Sequence, residues 1–118
     1  MSRNPQIVRL GQLANLLLDS RLATLHAAAR AKTETETQLD GLMTPPQAAA
    51  QVSEISAALA GLSYQRWADA RRADLNMRLA RQTVAWIDAR DAAREAFGKK
   101  QALGGVAAKL AAVKPKDD

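Results

Sequence analysis

The sequence has no cysteine and a single histidine, which removes much of the usual chemistry of active sites. Without cysteine, disulfides and cysteine-ligated zinc sites are excluded, and the absence suits a reducing compartment. Acid–base or nucleophilic catalysis needs groups that converge in a pocket, but His26 lies among alanines with no evident partner. Gly104–Gly105 lacks the lysine and the serine or threonine that follow the glycines of a phosphate-binding loop. The sequence therefore predicts a protein that is not an enzyme and that holds no cofactor or metal.

Aromatic residues are scarce as well, at 3% of the 118 residues, although the hydrophobic share is 47%. Much of that share is alanine, which is the best helix former and buries little surface area. This composition favours long helices paired along thin apolar seams over a thick globular core. No stretch approaches the ~18–20 consecutive apolar residues that span a bilayer.

The first 43 residues have the pattern of one long helix. Asn4 is a favourable N-cap, Pro5 is tolerated at the first helical position, and Gly41 can end the helix, so we expect a helix over residues 5–41. Apolar residues recur at steps of three and four, the spacing of a helix that packs along another helix. This seam weakens over residues 32–37, and its members are Leu18, Leu22, Leu25, Ala29, Leu39 and Met43.

A second helix is predicted over residues 45–103, with Thr44 as its N-cap and Pro45 at its first position. A short connection between two helices makes them antiparallel neighbours. The apolar residues of the second helix form two seams, one of Val52, Ile55, Leu59 and Leu62, the other of Tyr64, Ala68, Leu75, Leu79, Trp86, Ala93 and Phe97. At about 100° per residue the two seams lie on nearly opposite faces. We therefore expect a kink, a coiled-coil stutter or a break near Gly61–Ser63, and a break would make three helices.

The predicted fold is all-α: an antiparallel two-helix hairpin of the coiled-coil type, within a single helical domain over residues 1–113. Gly104–Gly105 is expected to end the second helix, with a short frayed helix over 106–113 and a disordered tail over 114–118. Because the second helix is the longer one, it is expected to run past the first by roughly 30 Å. That overhang would leave Phe97 beyond the end of the first helix.

The charge of the chain points to acidic partners. The net charge is +5 and the sequence pI is about 10.1, a balance that favours acidic proteins, nucleic acids or anionic lipids. A basic stretch on the second helix surrounds Trp67, and arginine and tryptophan are enriched at interface hot spots. Tyr64 and Trp86 belong to a seam and are expected in the core, whereas Trp67 is expected to be exposed. The alternative to a partner-binding face is a solvated helix flank. The candidate contact residues are Arg66, Trp67, Arg71, Arg72, Arg78 and Arg81.

The second predicted helix ends with the sequence Arg90–Asp91–Ala92–Ala93–Arg94–Glu95–Ala96–Phe97–Gly98–Lys99–Lys100–Gln101–Ala102–Leu103. A basic helical hairpin that ends in this way resembles the FliJ-type proteins of the bacterial flagellum and the related stalk proteins of type III secretion injectisomes. The resemblance implies an antiparallel coiled coil like the rotor stalk of rotary ATPases. It also implies a cytoplasmic protein, including the inner face of the membrane, that binds the hexameric export ATPase, the export gate and export chaperones.

Two other functions fit the same sequence. Clustered arginines and a high pI allow nucleic-acid binding, although there is no helix-turn-helix motif and acidic residues interrupt every basic run. A self-associating scaffold subunit is the other alternative. Leu16, Leu17 and Leu18 are consecutive and cannot all face one helix, so part of that surface needs burial in a homo-oligomer or against another protein.

Overall fold

The computed structural model describes residues 4–43 and 53–113, and it consists of two long helices. Helix α1 spans Pro5–Gly41 and helix α2 spans Glu54–Ala112, with no strand in these two ranges. The predicted all-α two-helix hairpin is confirmed. The predictions for Thr44, Pro45, Val52 and the tail at 114–118 lie outside the described residues.

Local signals set both ends of α1. The Asn4 side chain accepts a hydrogen bond from the backbone N–H of Gln6 at 3.0 Å, and the Asn4 carbonyl accepts one from the N–H of Val8 at 3.2 Å. Asn4 is therefore the N-cap, and Pro5 occupies the first helical position, where no N–H is needed. At the other end, the N–H groups of Leu42 and Met43 bond to carbonyls three residues back. The predicted bounds of this helix, 5 and 41, are confirmed.

Helix α2 begins at a serine cap. The Ser53 hydroxyl oxygen accepts a bond from the backbone N–H of Ser56 at 3.2 Å and donates its own proton to the Ser56 hydroxyl at 2.9 Å. The Ser53 carbonyl accepts the N–H of Ala57 at 2.8 Å. Glu54 adds a negative charge to the first turn, where the helix dipole favours it.

Helix α2 is continuous over its whole length. It runs through Gly61–Leu62–Ser63, so of the three alternatives there, a break is excluded. It also runs through Gly104–Gly105 to Ala112, and the predicted helix end at Leu103 with a separate helix over 106–113 is wrong. The physical reason is that these glycines keep negative φ angles like their neighbours, and each costs the helix only about 1 kcal/mol relative to alanine.

The chain divides into two compact units, and each helix contributes to both. Among the described residues, one unit combines 4–28 with 86–113, and the other combines 29–43 with 53–85. In the first unit, the amino-terminal part of α1 is grouped with the carboxy-terminal part of α2. In the second unit, the carboxy-terminal part of α1 is grouped with the amino-terminal part of α2. This pairing of segments is that of a helical hairpin.

The unit that includes residues 4–28 and 86–113 has a core of small side chains. Its buried residues are Ala14, Leu18, Ala89, Ala93 and Ala96. Trp86 is half-buried, and the guanidinium of Arg90 lies 5.2 Å from its ring centre. Alanine at most seam positions allows close approach of the helices but removes little apolar area from water.

The unit of residues 29–85 has a core around Leu75, which is only 1% exposed. Leu42, Ala68 and Leu75 form one cluster, with Leu39 and Tyr64 packed against it. Met43, which the sequence pattern placed in the seam, is 77% exposed, and Leu42 takes its place. Thr35, in the stretch where the seam was expected to weaken, is 2% exposed and bonds to the carbonyl of Ala31 at 3.2 Å.

The unpaired length of α2 lies at both of its ends. Over residues 54–63 every side chain is exposed except that of Ala57, which is partly buried. Over residues 104–112 the pattern is the same, with Ala107 as the exception. The expected overhang at the carboxy-terminal end alone, with Phe97 beyond α1, is wrong. Phe97 is half-exposed next to the fully buried Ala96, so it lies on the side of the paired region.

Candidate protein-interaction surface

The six predicted contact residues all lie on α2 within the 29–85 unit, but the helix directs them to three different sides. Trp67, Arg71, Arg78 and Arg81 follow one another at steps of four, seven and three, and so share one side. Arg66 is rotated about 100° from Trp67, away from the buried seam. Arg72 lies on the other side of that seam and forms an ion pair with Asp69 at 2.8 Å. The structure therefore brings four of the six together.

Trp67 is the aromatic residue of this group, and it is 56% exposed. Its ring lies 5.8 Å from that of Tyr64 at an interplanar angle of 40°, within the range of favourable aromatic pairs. Tyr64 in turn packs against the Leu42 cluster. Trp67 therefore contacts the core through Tyr64 and is mostly open to solvent, as predicted.

A second apolar surface, which the sequence patterns did not identify as one surface, runs along the outward face of α2. Its positions follow at steps of three and four from residue 55 to residue 84, and every one of them is exposed. Met77 and Val84, for example, are 60% and 59% exposed. We call this surface the outer stripe, and it comprises Ile55, Leu59, Leu62, Arg66, Ala70, Ala73, Met77, Ala80 and Val84.

The outer stripe explains the two conflicting seams of the sequence. The first seam, which includes Ile55, Leu59 and Leu62, does not rotate into the second one, because α2 continues without a break. It extends instead along the outward face through Met77 and Val84, while Ala68 and Leu75 face α1. The sequence does show this surface, because the spacing of three and four residues continues after Leu62. The pattern is weak because three of its positions are alanines.

Charges beside the outer stripe are mainly positive. Residues 54–85 contain five arginines and three acidic residues, a net charge of +2. Arg71, Arg78 and Arg81 line one side of the stripe with Asp74 between them, and Arg66 lies within the stripe itself. We call the first three the arginine flank. The other side carries Asp69, which is paired with Arg72.

An open groove of about 670 Å³ lies where α1 ends against α2. Its charged side chains are Asp40, Asp69 and Arg72, and the last two pair with each other. His26 is exposed elsewhere on α1. Within residues 4–43 and 53–113, no three His, Cys, Asp or Glu side chains are grouped closely enough to hold a metal ion. The groove thus offers apolar contact and one ion pair.

The consecutive leucines of α1 face different directions, as the sequence implied. Leu18 is buried and Leu17 is half-buried, whereas Leu16 is exposed. Leu10 and Leu13 are exposed as well, so the amino-terminal part of α1 also presents apolar surface.

Neither described helix is long and apolar enough to cross a membrane. Comparisons with protein-family models, with curated proteins and with solved structures found no match to this chain.

Proposed function

We propose that this chain is a non-enzymatic coiled-coil protein that works by contact with other proteins through α2. The observation that supports the proposal best is the outer stripe, where nine positions at helical spacing are all exposed. Apolar surface arranged in this way is typical of an interaction site rather than of a helix that only faces water. The arginine flank and Trp67 add the residue types that most often contribute binding energy.

The specific role that we propose follows from the resemblance to FliJ-type proteins. In that role the hairpin is a stalk or chaperone-escort component of a flagellar or type III export apparatus, bound to the export ATPase or the export gate. Its location would be the cytoplasm, including the inner face of the membrane. An antiparallel hairpin provides a stiff rod, and arginines on one side of α2 would orient it on an acidic surface.

Co-purification from the native organism tests this proposal. A tagged chain would be compared with a variant in which Arg71, Arg78 and Arg81 are all changed to glutamate. The matched control changes Arg9, Arg21 and Arg30 to glutamate, since these three arginines are exposed on α1 and give the same change in net charge. We expect mass spectrometry to find an export ATPase, gate or chaperone component with the unmodified chain and the control, and to lose it with the α2 variant.

Other results would favour the alternatives. Recovery of the chain with only further copies of itself would contradict the export role and support a self-associating scaffold, which the exposed Leu10, Leu13 and Leu16 favour. Recovery of nucleic acid, released by moderate salt, would support a basic nucleic-acid-binding helix. If both charge-reversed variants lose the export component equally, then overall charge, rather than the arginine flank, governs the contact.

A further inference from the structure

We propose that the outer stripe is a docking site for one amphipathic helix of a partner protein, and that this helix carries acidic residues on the side facing Arg71, Arg78 and Arg81. The inference rests on the proposed function as a protein-contact module, but it does not depend on the export apparatus. It names the surface that is used and the chemistry of the partner.

The spacing of the outer stripe matches a helical partner. Steps of three and four place successive side chains along a nearly straight line, and a second helix follows such a line by packing its own residues between them. From Ile55 to Val84 the stripe is roughly 44 Å long at 1.5 Å per residue, which corresponds to a partner helix of about 30 residues. Alanines at positions 70, 73 and 80 leave room for larger side chains of the partner.

The charges argue for an acidic partner rather than a second copy of this chain. In an antiparallel pair of helices, equivalent flanks face each other, so a second copy would set one arginine flank against another. In a parallel pair, the arginine flank would face the opposite side of the stripe, which offers mainly the uncharged Gln65 and Asn76, with Asp69 already paired to Arg72. Each arginine flank has three arginines and one acidic residue, Asp74, so an antiparallel pair would bring a net charge of +4 together, and neither arrangement neutralises the arginines.

Arg66 strengthens the same conclusion, because it interrupts the apolar positions of the outer stripe. A helix that covers the stripe removes water from around this guanidinium, and a desolvated charge is costly unless a carboxylate pairs with it. The stripe of a second copy contains no acidic residue. A partner with a glutamate or aspartate facing Arg66 would form a charge-assisted, two-bond pair.

The test is a selection from a display library of helical peptides of about 30 residues, the length of the stripe. Each peptide has leucine, isoleucine or alanine at the seam positions and a random choice of glutamate or lysine on each flank. The target is the full chain. We expect the enriched peptides to carry glutamate along one flank, and their affinity to fall as salt is raised.

Two variants establish which surface is used. Met77→Glu with Val84→Glu is expected to lower the affinity of the enriched peptides at least tenfold, because both side chains would be covered. Its matched control is Leu13→Glu with Leu16→Glu, on the exposed part of α1, which should leave the affinity unchanged. Far-UV circular dichroism before each measurement confirms that the helices are intact.

The variant Arg78→Glu with Arg81→Glu gives a gain of function that misfolding cannot produce. It is expected to turn the selection toward peptides with lysine on the flank that carried glutamate. Enrichment without any flank preference would overturn the charge assignment, and so would binding that survives Met77→Glu with Val84→Glu. Self-association of the chain that depends on Met77 and Val84, with no peptide enriched, would identify a second copy as the occupant and also overturn it.

The result is independent of the co-purification experiment. If peptides are enriched as expected but no export component is recovered, the docking site stands and the export role fails. If an export component is recovered through the arginine flank but no peptide is enriched, the export role stands and the helical docking site fails.

Discussion

The rings of Tyr64 and Trp67 lie 5.8 Å apart on neighbouring sides of α2, and they mark the border between its buried and its exposed faces. Tyr64 packs on the Leu42 cluster, whereas Trp67 is mostly open to solvent. The two faces of α2 therefore differ over the same residues. One face packs against α1 to complete the hairpin, and the face outside it is exposed to solvent.

Leu75 is expected to be the most sensitive position of the 29–85 unit. Leu75→Ala removes a side chain that is 1% exposed, and core substitutions of this kind cost roughly 2–5 kcal/mol in the free energy of unfolding. Urea unfolding followed by circular dichroism measures the change. Met77→Ala is the control two residues away, and it should cost well under about 1 kcal/mol because that side chain is exposed. Equal effects of the two substitutions would contradict the assignment of the buried face.

Thr35 and Thr37 offer a matched pair of threonines. Both hydroxyls donate to the carbonyl four residues back, at 3.2 Å and 2.9 Å, but only Thr35 is buried. Thr35→Val keeps the shape and removes one hydrogen bond, but the Ala31 carbonyl remains an acceptor of the helix backbone, so no buried group is left unpaired. The added apolar burial is then expected to make the substitution neutral or stabilising by up to about 0.8 kcal/mol. Thr37→Val should change the free energy of unfolding by less than about 0.5 kcal/mol. A loss of stability in Thr35→Val would mean that its hydroxyl makes a contact essential to the core.

The glycine pair at residues 104 and 105 tests the continuity of α2. A methyl group added at either position meets no atom within 4 Å, and neither glycine has a positive φ. Gly104→Ala with Gly105→Ala should therefore raise the helix content and stabilise the helix by roughly 1–2 kcal/mol in total. A fall in helix content would instead indicate a turn at this point, as the sequence pattern suggested.

Arg66 is expected to keep the outer stripe from pairing with other copies of the chain. Arg66→Leu removes the one charge from the stripe and leaves nine apolar positions in a row at helical spacing. We expect sedimentation velocity to show dimers or larger species at concentrations where the unmodified chain sediments as a smaller one. Arg72→Leu is the control, because Arg72 lies outside the stripe and is paired with Asp69. Unchanged sedimentation of Arg66→Leu would contradict the role of this arginine.

The sequence predicted α1 well because its ends depend on local chemistry. Asn4 and Pro5 start the helix within one turn, and the backbone N–H groups of Leu42 and Met43 close its end by bonding to carbonyls three residues back. The prediction that α2 ends at Leu103 was wrong because the signal there is ambiguous. A glycine pair can end a helix or be carried within a long one, and the backbone conformation that decides between the two is not visible in the sequence.

The outer stripe was hidden by alanine. Ala68 and Ala89 are buried in the hairpin, whereas Ala70, Ala73 and Ala80 are exposed on the outward face. Alanine has the same helix propensity in both places, so periodicity alone could not assign the faces. The six candidate contact residues lie on one helix, but the rotation of about 100° per residue separates Arg66 and Arg72 from the other members.

Site-specific photo-crosslinking in the native organism tests whether the outer stripe contacts a partner protein. A photoreactive amino acid would replace Met77 in the outer stripe, with Gln38 on the exposed side of α1 as the control position. We expect Met77 to crosslink one partner protein, through a helical segment with acidic residues along one side, and Gln38 not to crosslink it. Crosslinks from Met77 only to other copies of the chain, or equal crosslinks from both positions, would contradict this expectation.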